Sequence, residues 1–189
     1  MGHLKCDRRR WPFAVRLPEN EAVASEPLLP DDRAGTINPV PEHLHTVTPR
    51  LVVRDGAAAI EFYRAAFGAT ELGERFVGPD GKLVHAEIRI GDSVVMISDE
   101  GDNGAPARSP ESLGGAVSAI MATYWPDVDA VWTRALAAGA KVIYPLEDQF
   151  YGDRAGRLRD PFGQQWMLSQ RIEQVSDEET RRRAASLLK

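Results

Sequence analysis

Apolar and polar residues alternate over residues 47–53, and this alternation predicts a strand with one strongly apolar face. From Gly56 onward the apolar residues recur at helical spacing as far as Phe67. Asp55 is placed to cap the start of this helix, and Gly68 stands where a helix ends on a residue with positive φ. The first regular unit is therefore a strand followed by an amphipathic helix.

Three further strands complete a unit with the order β, α, β, β, β. Alternation and the turn residues between the segments predict these strands at residues 71–76, 83–90 and 93–98. The next segment, 99–115, is rich in Gly, Pro and Ser, which is typical of a linker.

The second half of the sequence repeats this order. A helix capped by Asp127 is predicted among strands at residues 117–124, 141–144, 156–159 and 165–169. Asp127 lies 72 positions after Asp55, and Gly163 lies 72 positions after Gly91. The cap and the final turn thus recur at one spacing, which indicates a duplicated module.

These patterns predict an α+β fold built from two tandem βαβββ modules. We expect a Pro-rich, poorly ordered N-terminal arm at 1–44 and a folded domain at 45–172. The modules occupy 45–99 and 116–172. The remaining residues, 173–189, begin with a capping box and are expected to form a C-terminal helical tail.

Charge and composition limit the classes of partner that the protein is expected to bind. The formal net charge of −5 argues against a nucleic-acid-binding surface. No uninterrupted apolar stretch reaches the roughly 18 residues needed to span a membrane. The one cysteine, Cys6, excludes an internal disulfide and a zinc-thiolate cluster, so we expect a soluble cytoplasmic protein.

Several motifs in both modules resemble those of the vicinal oxygen chelate superfamily, which includes glyoxalases, bleomycin-resistance proteins and extradiol dioxygenases, and more narrowly its PhnB-like branch. The motifs are Val47-Thr48-Pro49, Phe62-Tyr63, His85-Ala86-Glu87, Asp127-Val128-Asp129, and Arg159-Asp160-Pro161-Phe162-Gly163. The resemblance implies that the paired modules curve around a cavity, which we call the cup. It also implies a homodimer.

Enzymes of this superfamily hold a divalent ion with one His or Glu from the first and last strand of each module. Counting from the helix caps, the first-strand positions in this sequence are Thr48 and Ile120. Counting from the final turns, the last-strand positions are Met96 and Met167. None of these side chains can replace His or Glu as a ligand. We therefore expect no metal at this location and no other cofactor.

Strand alternation predicts which side chains line the cup. The candidate ligand-binding residues on the strands are Thr48, Arg50, His85, Glu87, Met96, Ile120, Tyr124, Gln165 and Met167. The loop 148–154 adds Gln149, Tyr151 and Arg154, which combine an aromatic face with a planar cation. In an alternative interpretation, Arg50, Glu87 and Arg89 pair with one another across neighbouring strands.

His85 and Glu87 lie two apart on one strand and share a face, which suits a general base oriented by a carboxylate. With Tyr151 they are the candidate catalytic residues. The alternative is ordinary polar pairing on the surface.

The sequence is compatible with three functions. The first is a dimeric protein that binds a small organic molecule in a metal-free cup, by sequestration in resistance or detoxification. The second is an enzyme of lyase, isomerase or dioxygenase type, either independent of metal or with relocated ligands. The third is a stress or regulatory protein that contacts another protein through its acidic surface and C-terminal helix.

Overall fold

The computed structural model describes residues 38–101 and 107–187. Its elements are β1 (Arg50–Val53), α1 (Gly56–Phe67), β2 (Thr70–Val77), β3 (Leu83–Ile90), β4 (Ser93–Asp99), β5 (Met121–Tyr124), α2 (Val128–Ala137), β6 (Lys141–Asp148), β7 (Asp153–Arg159), β8 (Gln165–Arg171) and α3 (Asp177–Leu187). The predicted α+β class and the two βαβββ units are confirmed. Most of the expected arm, 1–37, lies outside the described residues.

Each module forms a four-stranded mixed sheet. The strand order is β1-β4-β3-β2 in sheet 1 and β5-β8-β7-β6 in sheet 2. The pairs β1–β4 and β5–β8 are parallel, and the remaining neighbours are antiparallel. The two sheets do not join into a closed barrel.

Both module helices start at the predicted caps. Asp55 accepts a hydrogen bond from the backbone N–H of Ala58 at 2.9 Å, and Asp127 accepts one from Ala130 at 3.0 Å. These contacts satisfy donors that the first helical turn leaves without partners. Gly68 takes the expected left-handed conformation, with φ of 68°, after α1.

One apolar core lies between the two sheets and contains both module helices. Tyr63 and Phe67 of α1 contact Trp166 of β8, with ring centroids 5.3 and 4.7 Å apart. Ile97 of sheet 1 and Leu158 of sheet 2 belong to the same buried cluster. The other face of each sheet carries neither module helix, and we call these the open faces. The open face of sheet 1 is defined by Arg50, Glu87 and Met96, and that of sheet 2 by Ala122, Arg157 and Met167.

The structure corrects the bounds of several strands. β1 starts at Arg50 rather than at residue 47, and β7 starts at Asp153 rather than at residue 156. The strand predicted at 117–124 forms only over Met121–Tyr124. The strand predicted to end at residue 144 continues through Pro145 to Asp148. Pro lacks the N–H of a ladder, but β6 is an edge strand and its register shifts around this position, which accommodates the ring. None of the described helices is long and apolar enough to cross a membrane.

Candidate ligand-binding site

The open face of sheet 1 carries a carboxylate between two imidazoles. Oε2 of Glu87 lies 3.0 Å from Nε2 of His43 in a hydrogen bond, and Oε1 lies 3.4 Å from Nε2 of His85. The Glu87 side chain is only 16% exposed. His85 and Glu87 thus lie together as predicted, but the imidazole that hydrogen-bonds Glu87 comes from the predicted arm. No sequence signal connects His43 with a strand 44 positions away.

Arg50 crosses the same face without reaching Glu87. Its Nε donates to the hydroxyl of Ser98 at 3.3 Å, and an Nη donates to the carbonyl of Val84 at 2.7 Å. Among the ion pairs of residues 38–101 and 107–187, none joins Glu87 to Arg50 or Arg89. Mutual pairing of these three side chains is therefore not the arrangement found.

The open face of sheet 2 holds a cavity of about 310 Å³. Its lining comes from the second module alone and comprises Tyr144, Pro145, Glu147, Gln149, Tyr151, Ala155, Gly156, Arg157 and Met167. Three predicted candidates, Gln149, Tyr151 and Met167, therefore line one cavity. Tyr144 and Arg157 were missed. Alternation along β7 would have assigned Arg157 to this face, whereas the register of β6 shifts on both sides of Tyr144, so alternation along β6 does not predict its face.

Arg157 is the cation of this cavity. Its guanidinium carbon lies 5.2 Å from the centroid of the Tyr144 ring, a cation–π distance. Its Nε is buried and has no hydrogen-bond partner within the part of the chain that the structure describes. A buried donor without an acceptor is costly, so this atom favours an incoming acceptor.

Backbone hydrogen bonds define the turn of the loop that supplies Gln149 and Tyr151. The backbone N–H of Gln149 donates to Asp153 at 2.7 Å, and that of Gly152 donates to Gln149 at 3.0 Å. Burial raises the pKa of Tyr151, and nearby Asp153 and Tyr124 raise it further. Tyr151 therefore remains a neutral phenol at ordinary pH, which suits a hydrogen-bond donor better than a general base.

Two other candidates are engaged beside the cavity rather than within its lining. Arg154 donates to both carboxylate oxygens of Asp129 on α2, at 2.8 and 2.9 Å, and to Asp148 at 2.9 Å. These contacts direct it to the helix side of sheet 2. The Tyr124 hydroxyl donates to the buried carboxylate of Asp153 at 2.9 Å.

The remaining candidates are spread over both open faces. The Thr48 hydroxyl donates to the carbonyl of His45 at 3.0 Å, just before β1. Ile120 is exposed just before β5. Met96 and Gln165 are half-buried on β4 and β8. The structure therefore gathers three predicted residues around one cavity, whereas Arg50 lines a second cavity of about 310 Å³ and the other candidates lie elsewhere.

The match to known families is decisive for the fold. The family model described as glyoxalase/bleomycin resistance protein/dioxygenase superfamily matches residues 43–168. The chain belongs to this superfamily. The predicted resemblance is thereby confirmed.

Named relatives extend this result. The protein Rv0887c of Mycobacterium tuberculosis H37Rv is 49% identical over 135 residues, which cover 70% of this chain and 78% of the relative. The solved structure of TioX from Micromonospora sp. ML1 is 26% identical, with a TM-score of 0.54 over 67% of this chain and 98% of TioX. A superfamily enzyme from Burkholderia phytofirmans PsJN is 19% identical, with a TM-score of 0.51 over 65% of this chain and 95% of that protein, and shows the fold alone.

The residues at the positions predicted for the superfamily's metal do not fit a divalent ion. Thr48, Met96, Ile120 and Met167 offer no carboxylate, imidazole or thiolate. Within residues 38–101 and 107–187, no group of three His, Cys, Asp or Glu side chains is arranged to hold a metal. We therefore derive no chemistry from a metal at this site.

Proposed function

We propose that this protein binds a small organic molecule in the cup without a metal, and that it acts by sequestration. The cavity on sheet 2 carries the proposal, because it combines the rings of Tyr144 and Tyr151, the thioether of Met167 and the cation of Arg157. Small-molecule sites have such linings, in which apolar walls carry a few polar groups that fix the ligand's orientation. The donor set at the metal positions supports a binding role over the superfamily's metal-dependent reactions.

A second copy of the chain is the partner we propose for closing the cup. One module alone lines the sheet 2 cavity, so it lacks an opposite wall. Large apolar side chains remain exposed on both sheets, including Tyr144 at 59% and Phe76 at 64%. Exposed apolar groups of this kind favour association. The proposal is a cytoplasmic homodimer without nucleic-acid or membrane partners.

The test is a ligand-observed NMR screen of purified protein against a library of small aromatic compounds. Met167→Trp fills the cavity and should abolish binding of the hits. Val142→Trp is the matched control, because it adds the same ring at an exposed position on β6 outside the cavity lining. Hits that survive Met167→Trp, or the absence of any hit, would contradict the proposal.

The alternative function is a metal-independent lyase or isomerase. The observation in its favour is Glu87, a largely buried carboxylate hydrogen-bonded to His43 and next to His85. Such a group suits proton transfer. Each hit should therefore be incubated with the protein and analysed by mass spectrometry. Unchanged compounds support sequestration, whereas conversion that disappears in Glu87→Gln or Tyr151→Phe supports the enzyme.

A further inference from the structure

We infer that the sheet 2 cavity binds a flat aromatic acid and that Arg157 binds the carboxylate of this ligand. The inference rests on the proposed function and names the chemical class of its ligand. It is carried by the guanidinium itself, by a comparison of the two modules, and by the shape of the lining.

The first observation is that Arg157 has no anionic partner in the part of the chain that the structure describes. No ion pair or hydrogen bond of its side chain occurs among residues 38–101 and 107–187. Its Nε is buried, and its guanidinium contacts the Tyr144 ring. The guanidinium of Arg157 in this arrangement favours binding a carboxylate, since guanidinium binds carboxylate through two parallel hydrogen bonds.

The second observation comes from the strand registers. Arg50 pairs with Met96 five positions before the cap Asp55, and Ala122 pairs with Met167 five positions before the cap Asp127. Met96 and Met167 are therefore equivalent. Each pairs in turn with one residue of the neighbouring strand.

That residue is Glu87 in sheet 1 and Arg157 in sheet 2. At this equivalent position the open face of sheet 1 thus carries the negative charge of Glu87, and that of sheet 2 carries the positive charge of Arg157. Glu87 is hydrogen-bonded by His43, whereas Arg157 has no hydrogen-bond partner among the described residues. The charge at this one equivalent position therefore differs between the two sheets, and the unpaired Nε of Arg157 favours placing the acceptor of a ligand at sheet 2.

The same comparison exposes a second unsatisfied group. In sheet 1 the guanidinium of Arg50 donates to Ser98. In sheet 2 the equivalent of Arg50 is Ala122, and the equivalent serine, Ser169, is 1% exposed with no partner for its hydroxyl among the described residues. Ser169 pairs with Ala155, which lines the cavity. Sheet 2 therefore has polar groups unsatisfied where sheet 1 has them paired.

The shape of the lining favours a flat aromatic acid over a small inorganic anion as the ligand. Tyr144, Tyr151 and Met167 provide broad apolar contact beside the guanidinium. Glu147 also lines the cavity and is exposed, so its charge opposes an anionic ligand. This opposition gives the experiment a variant that should strengthen binding.

The experiment titrates the full-length protein with 2-naphthoate and with its neutral analogue 2-naphthamide, by isothermal calorimetry. We expect naphthoate to bind about tenfold more tightly than naphthamide. Arg157→Gln should weaken naphthoate about tenfold and change naphthamide by less than about twofold. Arg159→Gln, an equal loss of charge at an exposed position two residues along β7, should change neither. Glu147→Gln should tighten naphthoate binding.

Other outcomes would overturn the inference in distinguishable ways. Equal binding of the two probes, unaffected by Arg157→Gln, would contradict the carboxylate while leaving the proposed function intact. Binding of neither probe, with library hits still blocked by Met167→Trp, would contradict the aromatic acid as a class. Light scattering measures the oligomer mass of the Arg157→Gln variant. If this mass changes and the variant binds neither probe, Arg157 contributes to the subunit interface instead of binding a carboxylate. The proposed function itself fails when no compound occupies the cavity or when bound compounds are converted.

Discussion

The hydroxyl of Tyr63 in α1 donates a hydrogen bond to Oδ2 of Asp160 at 2.8 Å and so joins the first module to the final turn of the second. The same oxygen accepts from the indole N–H of Trp166 at 2.9 Å. Backbone N–H groups of Phe162 and Gln164 donate to Oδ1, each at 2.9 Å. Burial raises the pKa of Asp160, and these hydrogen bonds oppose the rise. The buried carboxyl group is thus a polar tie between the modules.

Tyr63→Phe should lower the free energy of unfolding by about 1–3 kcal/mol, because it removes one donor from a buried carboxyl group. Urea denaturation measures this change. Tyr144→Phe is the control, since its ring is exposed, and should change stability by less than about 0.5 kcal/mol. Equal free energies of unfolding for the two variants would show that the hydrogen bond from Tyr63 to Asp160 does not contribute to stability.

Gly152→Ala should be destabilising, because Gly152 has φ of 92° and an added Cβ would lie 2.5 Å from the carbonyl oxygen of Glu173. Gly73→Ala is the matched control, with φ of 69° and no atom within 4 Å of its added Cβ. We expect about 1 kcal/mol from the left-handed backbone alone in the control and a clearly larger loss at Gly152. Thermal unfolding compares them, and similar losses would argue against the close packing of the C-terminal segment on this loop.

The acid dependence of stability should depend in part on Glu100. Hydrogen bonds from the backbone N–H of Ser109, at 2.9 Å, and the hydroxyl of Ser112, at 2.7 Å, lower the pKa of Glu100 to about 2. A lowered pKa stabilises the folded state above the ordinary value of 4.5, and this contribution is lost as pH falls toward 2. Glu100→Gln should therefore lose less stability than wild type over this range.

The control for this experiment is Glu111→Gln, at an exposed position in the same loop region. Its pH profile, followed by urea unfolding at each pH, should match that of wild type. A Glu100→Gln profile as steep as the wild-type profile would show that this carboxylate does not contribute to acid unfolding.

The sequence predicted the helices well because their signals are local. Asp55, Gly68 and Asp127 mark the module helix ends through contacts within a few residues. Strand bounds were less predictable, since the extension of β6 through Pro145 depends on its position at a sheet edge. That position is set by pairing over long distances.

The candidate site was predicted only in part for the same reason. Alternation placed Glu87 and Met167 on open faces, but it could not show that His43 from the arm reaches Glu87. It also could not show that Arg154 pairs with Asp129 on a helix. The position of Arg157 opposite Met167 follows from the strand registers and not from the 72-residue offset, because the final turn is longer in the second module, where Arg159 pairs with Gln165.

The metal content of freshly purified, tag-free protein tests the central claim most directly. Elemental mass spectrometry, with add-back of Ni, Zn, Mn and Fe, should find metal well below one ion per chain and no binding after add-back. Nearly one ion per chain, lost in Glu87→Gln, would contradict the metal-free cup and indicate an enzyme with relocated ligands.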